Sequence, residues 1–92
     1  MAVAELRIEP TRFTITPSID VVDVHNVQVH VEQQRDGKWI AGDGGGMWYD
    51  AAGEALFHCR EHYDRCATDF GTAMQIGAAV AQDITERWNT RG

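Results

Sequence analysis

Apolar and polar residues alternate through much of the chain, with the period of two that is typical of β-strands. On either side of Pro10, the alternation predicts two short strands or one bent edge strand within an N-terminal segment, residues 1–17. The strongest alternation lies within residues 21–34, where it separates an apolar face (His25, Val27, Val29 and Val31) from a polar face (Asn26, Gln28, His30 and Glu32). We expect this stretch to be a central strand with its valines toward the core.

Two glycine-containing segments divide the residues that follow into further strands. Asp36-Gly37 is a typical hairpin turn, and a strand over residues 38–41 is expected after it. The glycine-rich stretch 42–46 predicts a flexible connector, because glycine has the widest conformational freedom, and Met47 begins the next strand. Residues 21–60 are therefore predicted to form an antiparallel meander.

The pattern over residues 54–66 fits two structures. A tight turn at residues 50–53, with Gly53 in the left-handed position, predicts a returning strand over residues 54–60. Leu56, Cys59, Tyr63, Cys66 and Phe70 instead recur at helical spacing, with Asp50 available as an N-cap. We favour the hairpin, because Gly53 would weaken the first turn of a helix.

Residues 72–89 carry the clearest helical pattern. Thr72 is a candidate N-cap, and the apolar stripe comprises Met74, Ile76, Gly77, Val80, Ala81, Ile84 and Trp88. The small residues at 77–79 would let this helix lie close to a sheet. The chain is thus predicted to be a single α+β domain, residues 1–92, in which an antiparallel β-meander of three to five strands packs one C-terminal helix on a face.

Composition narrows the possible partners and the compartment. Eight Lys and Arg residues against 14 Asp and Glu give 92 residues a net charge of −6, without the basic cluster that binding to nucleic acid or to an anionic membrane surface requires. Continuous apolar runs are also far shorter than the roughly 20 residues of a membrane span. Two cysteines without a secretion signal are expected to be reduced thiols, which places the protein in the cytoplasm.

A cluster of histidine and cysteine gives the first functional hypothesis, a zinc site. If residues 58–66 are helical, His58, His62 and Cys66 lie at positions i, i+4 and i+8 on one face, and these are residue types that zinc prefers. The alternative is that Cys59 and Cys66 are small buried hydrophobic residues and that the two histidines are solvated. The second interpretation needs no fourth ligand, and we expect no cofactor.

Cys59 and Arg65 have the Cys-x5-Arg spacing of the phosphate-binding loop of tyrosine phosphatases. The residues between them include no glycine to curl the loop, and two of them are acidic where a phosphate would lie, so we reject this interpretation. No spacing indicates a catalytic triad. His25 lies among valines, where a histidine is more often a hydrogen-bonded core residue than a catalytic base. So small a domain also has little room for a concave catalytic pocket. We therefore predict no catalytic residues and no enzymatic activity.

Aromatic residues on the sheet give the favoured hypothesis, which is protein binding. If Ile40 faces the helix, Trp39 lies on the opposite face of the sheet, beside His30 and Gln28. Trp39 and Trp48 lie on either side of the glycine-rich stretch 42–46, and exposed tryptophans are typical anchors of protein interfaces. The alternative is that residues 1–17 cover Trp39. We predict a small acidic, non-enzymatic domain, of the accessory-factor or phage-inhibitor type, that binds another protein or a second copy of itself through a sheet face or edge; the alternative is zinc binding.

Overall fold

A five-stranded antiparallel meander forms the body of the protein. The computed structural model describes residues 10–17 and 28–90, with side chains up to residue 87. The elements in chain order are β1 (Arg12–Ile15), β2 (Val29–Gln33), β3 (Trp39–Gly42), β4 (Met47–Tyr49), β5 (Ala55–Phe57), a 3₁₀ turn (Arg60–His62), α1 (Tyr63–Cys66) and α2 (Phe70–Thr90). The strands lie in the sheet in the order β1-β2-β3-β4-β5. The predicted α+β class, with one long C-terminal helix packed on an antiparallel sheet, is confirmed.

The N-terminal segment and the expected central strand both contribute to this sheet. β1 is an edge strand, with Phe13 opposite Val31 and Thr14 opposite His30 of β2. β2 lies between β1 and β3 and separates buried valines from polar residues, as the alternation predicts. The parts of the predicted strands that fall within residues 1–9 and 18–27, including Leu6, Ile8, His25, Asn26 and Val27, lie outside the described residues.

An aspartate closes each of the three hairpins from β2 to β5. Asp36, Asp43 and Asp50 stand seven residues apart, each just after a strand or within the turn. Their Oδ1 atoms accept backbone N–H groups of Lys38 (3.0 Å), of Gly45 and Met47 (2.8 and 3.1 Å), and of Ala52 and Glu54 (2.9 Å each). Gly37 and Gly53 have φ angles of +89° and +79°, the left-handed conformation that the turn predictions require.

The long helix α2 begins two residues before the predicted start. Asp69, and not Thr72, caps it, because Asp69 Oδ1 accepts the Thr72 N–H at 2.8 Å and the Thr72 hydroxyl donates to Oδ2 at 2.9 Å. These bonds hold the pKa of Asp69 below its usual value. Within residues 10–17 and 28–90, no helix has both the length and the apolarity to cross a bilayer.

The core lies between α2 and one side of the sheet, here called the helix face; the opposite side is the outer face. Val29, Val31 and Ala41 are fully buried there beneath Ala73, Ile76, Val80 and Ala81 of α2. A Cβ atom on Gly77 would lie 3.0 Å from both Ile15 Cδ1 and Val31 Cγ2, so glycine sets the close approach of helix and sheet. Ala78 and Ala79 are exposed, so the expected contact of small residues with the sheet holds for Gly77 alone.

The chain after β5 combines the two structures that the sequence left open. β5 spans only Ala55–Phe57, and the 3₁₀ turn and α1 follow it. Thr68 then pairs with Trp39 through two backbone hydrogen bonds, of 2.7 and 2.9 Å, beside β3 where β4 has diverged. By this route the chain passes from the outer face, where Tyr63 contacts Trp48, to the helix face, where α2 lies.

Candidate functional site

Trp39 does not lie on the outer face. Its ring centroid lies 4.8 Å from that of Phe70 and 6.0 Å from that of Phe13, in an aromatic cluster at one end of the helix face. The alternative that residues 1–17 cover Trp39 is supported by this Phe13 contact, and the expectation that Ile40 faces the helix is wrong. Both sides of β3 are apolar, so alternation shows that Trp39 and Ile40 diverge without showing which of them meets α2.

The other three residues predicted to bind a partner, Trp48, His30 and Gln28, do share the outer face. His30 Nδ1 lies 3.1 Å from Thr14 Oγ1, and the Gln28 amide donates to Thr16 Oγ1 at 3.3 Å. A pocket of about 110 Å³ lies between His30 and Trp48. Their role in binding a partner stays a prediction.

Internal contacts occupy much of this outer face. Trp48 packs against His58 and Tyr63, with ring centroids 5.8 and 5.9 Å apart. The Tyr63 hydroxyl reaches the β2–β3 turn and donates to Asp36 Oδ2 at 2.7 Å. This bond lowers the pKa of Asp36 and raises that of Tyr63 to about 12. The segment after β5 therefore forms a small cover over Trp48 on the outer face.

The histidine–cysteine cluster lacks the geometry that zinc chelation requires. His58 precedes the 3₁₀ turn, so His58, His62 and Cys66 do not lie on one continuous helix. Among the residues that the structure describes, no group of three or more His, Cys, Asp and Glu side chains could hold a metal ion. His62 Nδ1 instead lies 2.8 Å from the Phe57 carbonyl oxygen and 3.3 Å from Cys59 Sγ. Cys66 is buried, and its burial raises the pKa of the thiol.

The part of the helix face formed by β4 and β5 is open. α2 packs mainly on β2 and β3, with a smaller contact to β1. Beyond β3, Met47 and Tyr49 are only half-buried and Ala55 is exposed. Phe57 is 72% exposed, more than any other large hydrophobic residue that the structure describes.

An open cleft of about 630 Å³ separates α2 from the β4–β5 hairpin. Its apolar lining comes from Tyr49 and Ala55 on the hairpin and from Ile76, Val80 and Ile84 on the helix. The sequence pattern did not predict this cleft. The only available signal was the uninterrupted apolar run of β5, since strand periodicity does not show which strands a helix will cover.

β5 also ends the sheet with backbone groups that point away from it. The Asp50 N–H bonds to the Glu54 carbonyl at 3.0 Å, and the His58 N–H bonds to the Gly46 carbonyl at 2.9 Å. Because hydrogen-bonded pairs alternate along an antiparallel ladder, Ala55 and Phe57 direct their N–H and C=O groups to the free edge. Within the described part of the chain, only the Phe57 carbonyl has a partner there, the His62 ring.

Comparisons with known proteins add no information about the function of this site. No family model, no curated protein and no solved structure matches this chain.

Proposed function

We propose that this chain is a non-enzymatic protein-binding domain whose ligand is an extended polypeptide segment that joins the sheet beside β5. The observation that carries the proposal is the open β4–β5 region, where the edge strand β5 carries the exposed Phe57 at one end and adjoins the cleft at Ala55. Strand addition uses these features, because main-chain hydrogen bonds supply affinity while alternate side chains enter neighbouring pockets. The cytoplasm, where both free cysteines would stay reduced, is the proposed compartment.

The composition of β5 supports this function. Edge strands that avoid pairing usually carry a charged residue or a proline, whereas β5 consists of Ala55, Leu56 and Phe57. Among the residues that the structure describes, its protection is limited to its short length and to the contact from His62. An added strand would bury the Phe57 ring on the helix face and would satisfy the outward N–H and C=O groups of Ala55.

The test is an affinity capture from a lysate with the wild-type chain and with Ala55→Pro as bait. The Ala55 N–H points away from β4, so proline removes an edge donor while the β4–β5 ladder stays intact. Arg12→Pro is the matched control, because the bond from the Gln33 N–H to the Thr11 carbonyl (2.8 Å) makes the Arg12 N–H point outward at the opposite edge.

We expect a bound protein that Ala55→Pro loses and Arg12→Pro retains. In that complex, amide hydrogen exchange should slow at Ala55 and Phe57. Capture of the same proteins by Ala55→Pro, or unchanged exchange at both amides in the complex, would overturn strand addition at β5.

A further inference from the structure

We infer that a second copy of this chain is one such partner, with β5 paired antiparallel to β5 of the other copy about a two-fold axis at Leu56. The inference depends on the proposed strand addition and names its ligand. The outward N–H and C=O groups of Ala55 and Phe57 determine which residues of the two copies can pair. A two-fold axis at Leu56 makes one continuous sheet from the two five-stranded sheets.

The backbone of β5 is self-complementary in this register. Ala55 of one copy lies opposite Phe57 of the other, and both residues direct N–H and C=O groups to the edge. Each such pair exchanges two hydrogen bonds, and the symmetry repeats it, so that four bonds join the copies. Leu56 lies opposite itself, in the closely spaced type of antiparallel pair.

Side chains on the helix face also fit. The register places the large, 72%-exposed Phe57 ring of one copy beside the small Ala55 of the other. Ala55 lines the cleft, together with Ile76 and Val80, whereas Phe57 of the same chain does not. The ring from the second copy would therefore cover apolar surface at the mouth of a cleft that its own chain leaves open.

Polar side chains are complementary on the outer face. The same register sets Glu54 of each copy opposite His58 of the other, and Leu56 against Leu56 between the two pairs. An imidazole N–H donates to a carboxylate, so each interface contains two symmetric polar pairs around an apolar centre. A strand from an unrelated protein need not place suitable partners opposite Glu54, Leu56 and His58. A second copy does so by symmetry.

His62 already bonds to this edge. Its Nδ1 lies 2.8 Å from the Phe57 carbonyl oxygen, which has a second lone pair for the incoming Ala55 N–H. The contact therefore competes for this edge without closing it. His62→Ala should therefore increase the affinity of the dimer. A decrease would mean that the His62 contact is needed to keep β5 in its paired conformation.

A disulfide test reads the register directly. In a Cys59→Ser, Cys66→Ala background, Leu56→Cys places two thiols in a closely spaced pair, with Cα atoms about 4.5 Å apart and within disulfide range. Ala55→Cys is the matched control, because residue 55 lies opposite residue 57. We expect a covalent dimer from Leu56→Cys at several times the rate of Ala55→Cys; equal rates would overturn the register.

A charge exchange gives an independent test by analytical ultracentrifugation. Glu54→Lys and His58→Glu should each weaken the dimer about fivefold, because like or unmatched charges then face each other twice. The double variant should return the affinity close to that of the wild type. Additive weakening in the double variant would overturn the pairing of Glu54 with His58.

The outcomes also separate this inference from strand addition in general. A wild-type chain that stays monomeric at all concentrations overturns self-association. If that monomer still captures another protein, and Ala55→Pro loses it, the proposed function stands without the two-fold dimer. If neither a dimer nor such a protein is found, both fail.

Discussion

The two halves of the sheet have similar strands but different surroundings. Under α2, Val29 and Val31 are completely buried in the core, while their neighbours His30 and Glu32 lie on the outer face. In the β4–β5 half, α2 contacts the helix face only at its inner border, through Tyr49, and Phe57 is 72% exposed among the described residues. An apolar strand residue is therefore a core residue only where another layer reaches it; where none does, it stays exposed to solvent.

The largest expected effect contrasts one residue from each half. Val31→Ala should lower the free energy of unfolding by about 2–3 kcal/mol, because it removes buried methyl groups and leaves a cavity beneath Gly77. Phe57→Ala, at an exposed site, should change it by less than about 0.5 kcal/mol. Urea unfolding of the two variants, at protein concentrations too low for the inferred dimer to form, measures both; similar losses would mean that the open half is covered even in the monomer.

The next effect tests what stabilises the open half in the absence of a helix. Asp50 is 6% exposed, and besides the Ala52 and Glu54 N–H groups its carboxylate contacts Arg65 at 3.3 Å. Asp50→Ala should cost about 1–3 kcal/mol, because two turn N–H groups lose their acceptor. Asp50→Asn keeps one acceptor oxygen and should cost less. Equal losses for the two variants in thermal unfolding would contradict a role for the turn bonds.

The third effect is a pH dependence of the stability that the Tyr63–Asp36 hydrogen bond on the outer face contributes. The Tyr63 hydroxyl lowers the pKa of Asp36, so this bond stabilises the folded state above the ordinary carboxyl pKa, and its contribution is lost as the pH falls through the lowered value. Tyr63→Phe should therefore be less stable than the wild type at pH 7, and the difference should shrink toward pH 2. At the alkaline end it should shrink again as the pH rises toward 12, since the pKa of Tyr63 is raised to about 12.

Urea unfolding of both proteins across this range measures that difference. A constant difference between wild type and Tyr63→Phe at every pH would show that the hydroxyl contributes through packing and not through its bond to Asp36.

The smallest effect concerns a surface ion pair of the covered half. Arg12 Nε lies 3.0 Å from Glu32 Oε1, and both side chains are about half exposed. Because water screens such pairs, Glu32→Gln should change the stability by less than about 0.5 kcal/mol. Its urea midpoint should overlap that of the wild type; a clear shift would mean that this edge depends on charge more than its exposure indicates.

Local signals in the sequence predicted much of the fold. The Asp36-Gly37 turn, the alternation in β2 and the apolar stripe of α2 each depend on neighbours within a few residues, and all three are present. The segment after β5 was ambiguous because a three-residue strand and two short helical turns follow one another there. Neither the strand pattern nor the helical pattern describes the whole segment.

The candidate site was less predictable, because it depends on contacts between distant segments. Alternation placed Gln28 and His30 on one face, and Trp48 joins them there through its pairing opposite Gly42. It does not show which face α2 covers, and so Trp39 was placed on the wrong side. The opening beside Phe57 depends on where α2 crosses the sheet, which no local pattern encodes.

The three aspartate turns have a consequence for the order of folding. Each brings strands together over a few residues of chain, so the meander has low contact order, whereas α2 reaches β2 across more than half of the described sequence. Short loops close faster than long ones, and we expect the hairpins to precede helix docking. In stopped-flow kinetics, Asp43→Ala should then mainly slow folding, and Gly77→Ala should mainly accelerate unfolding.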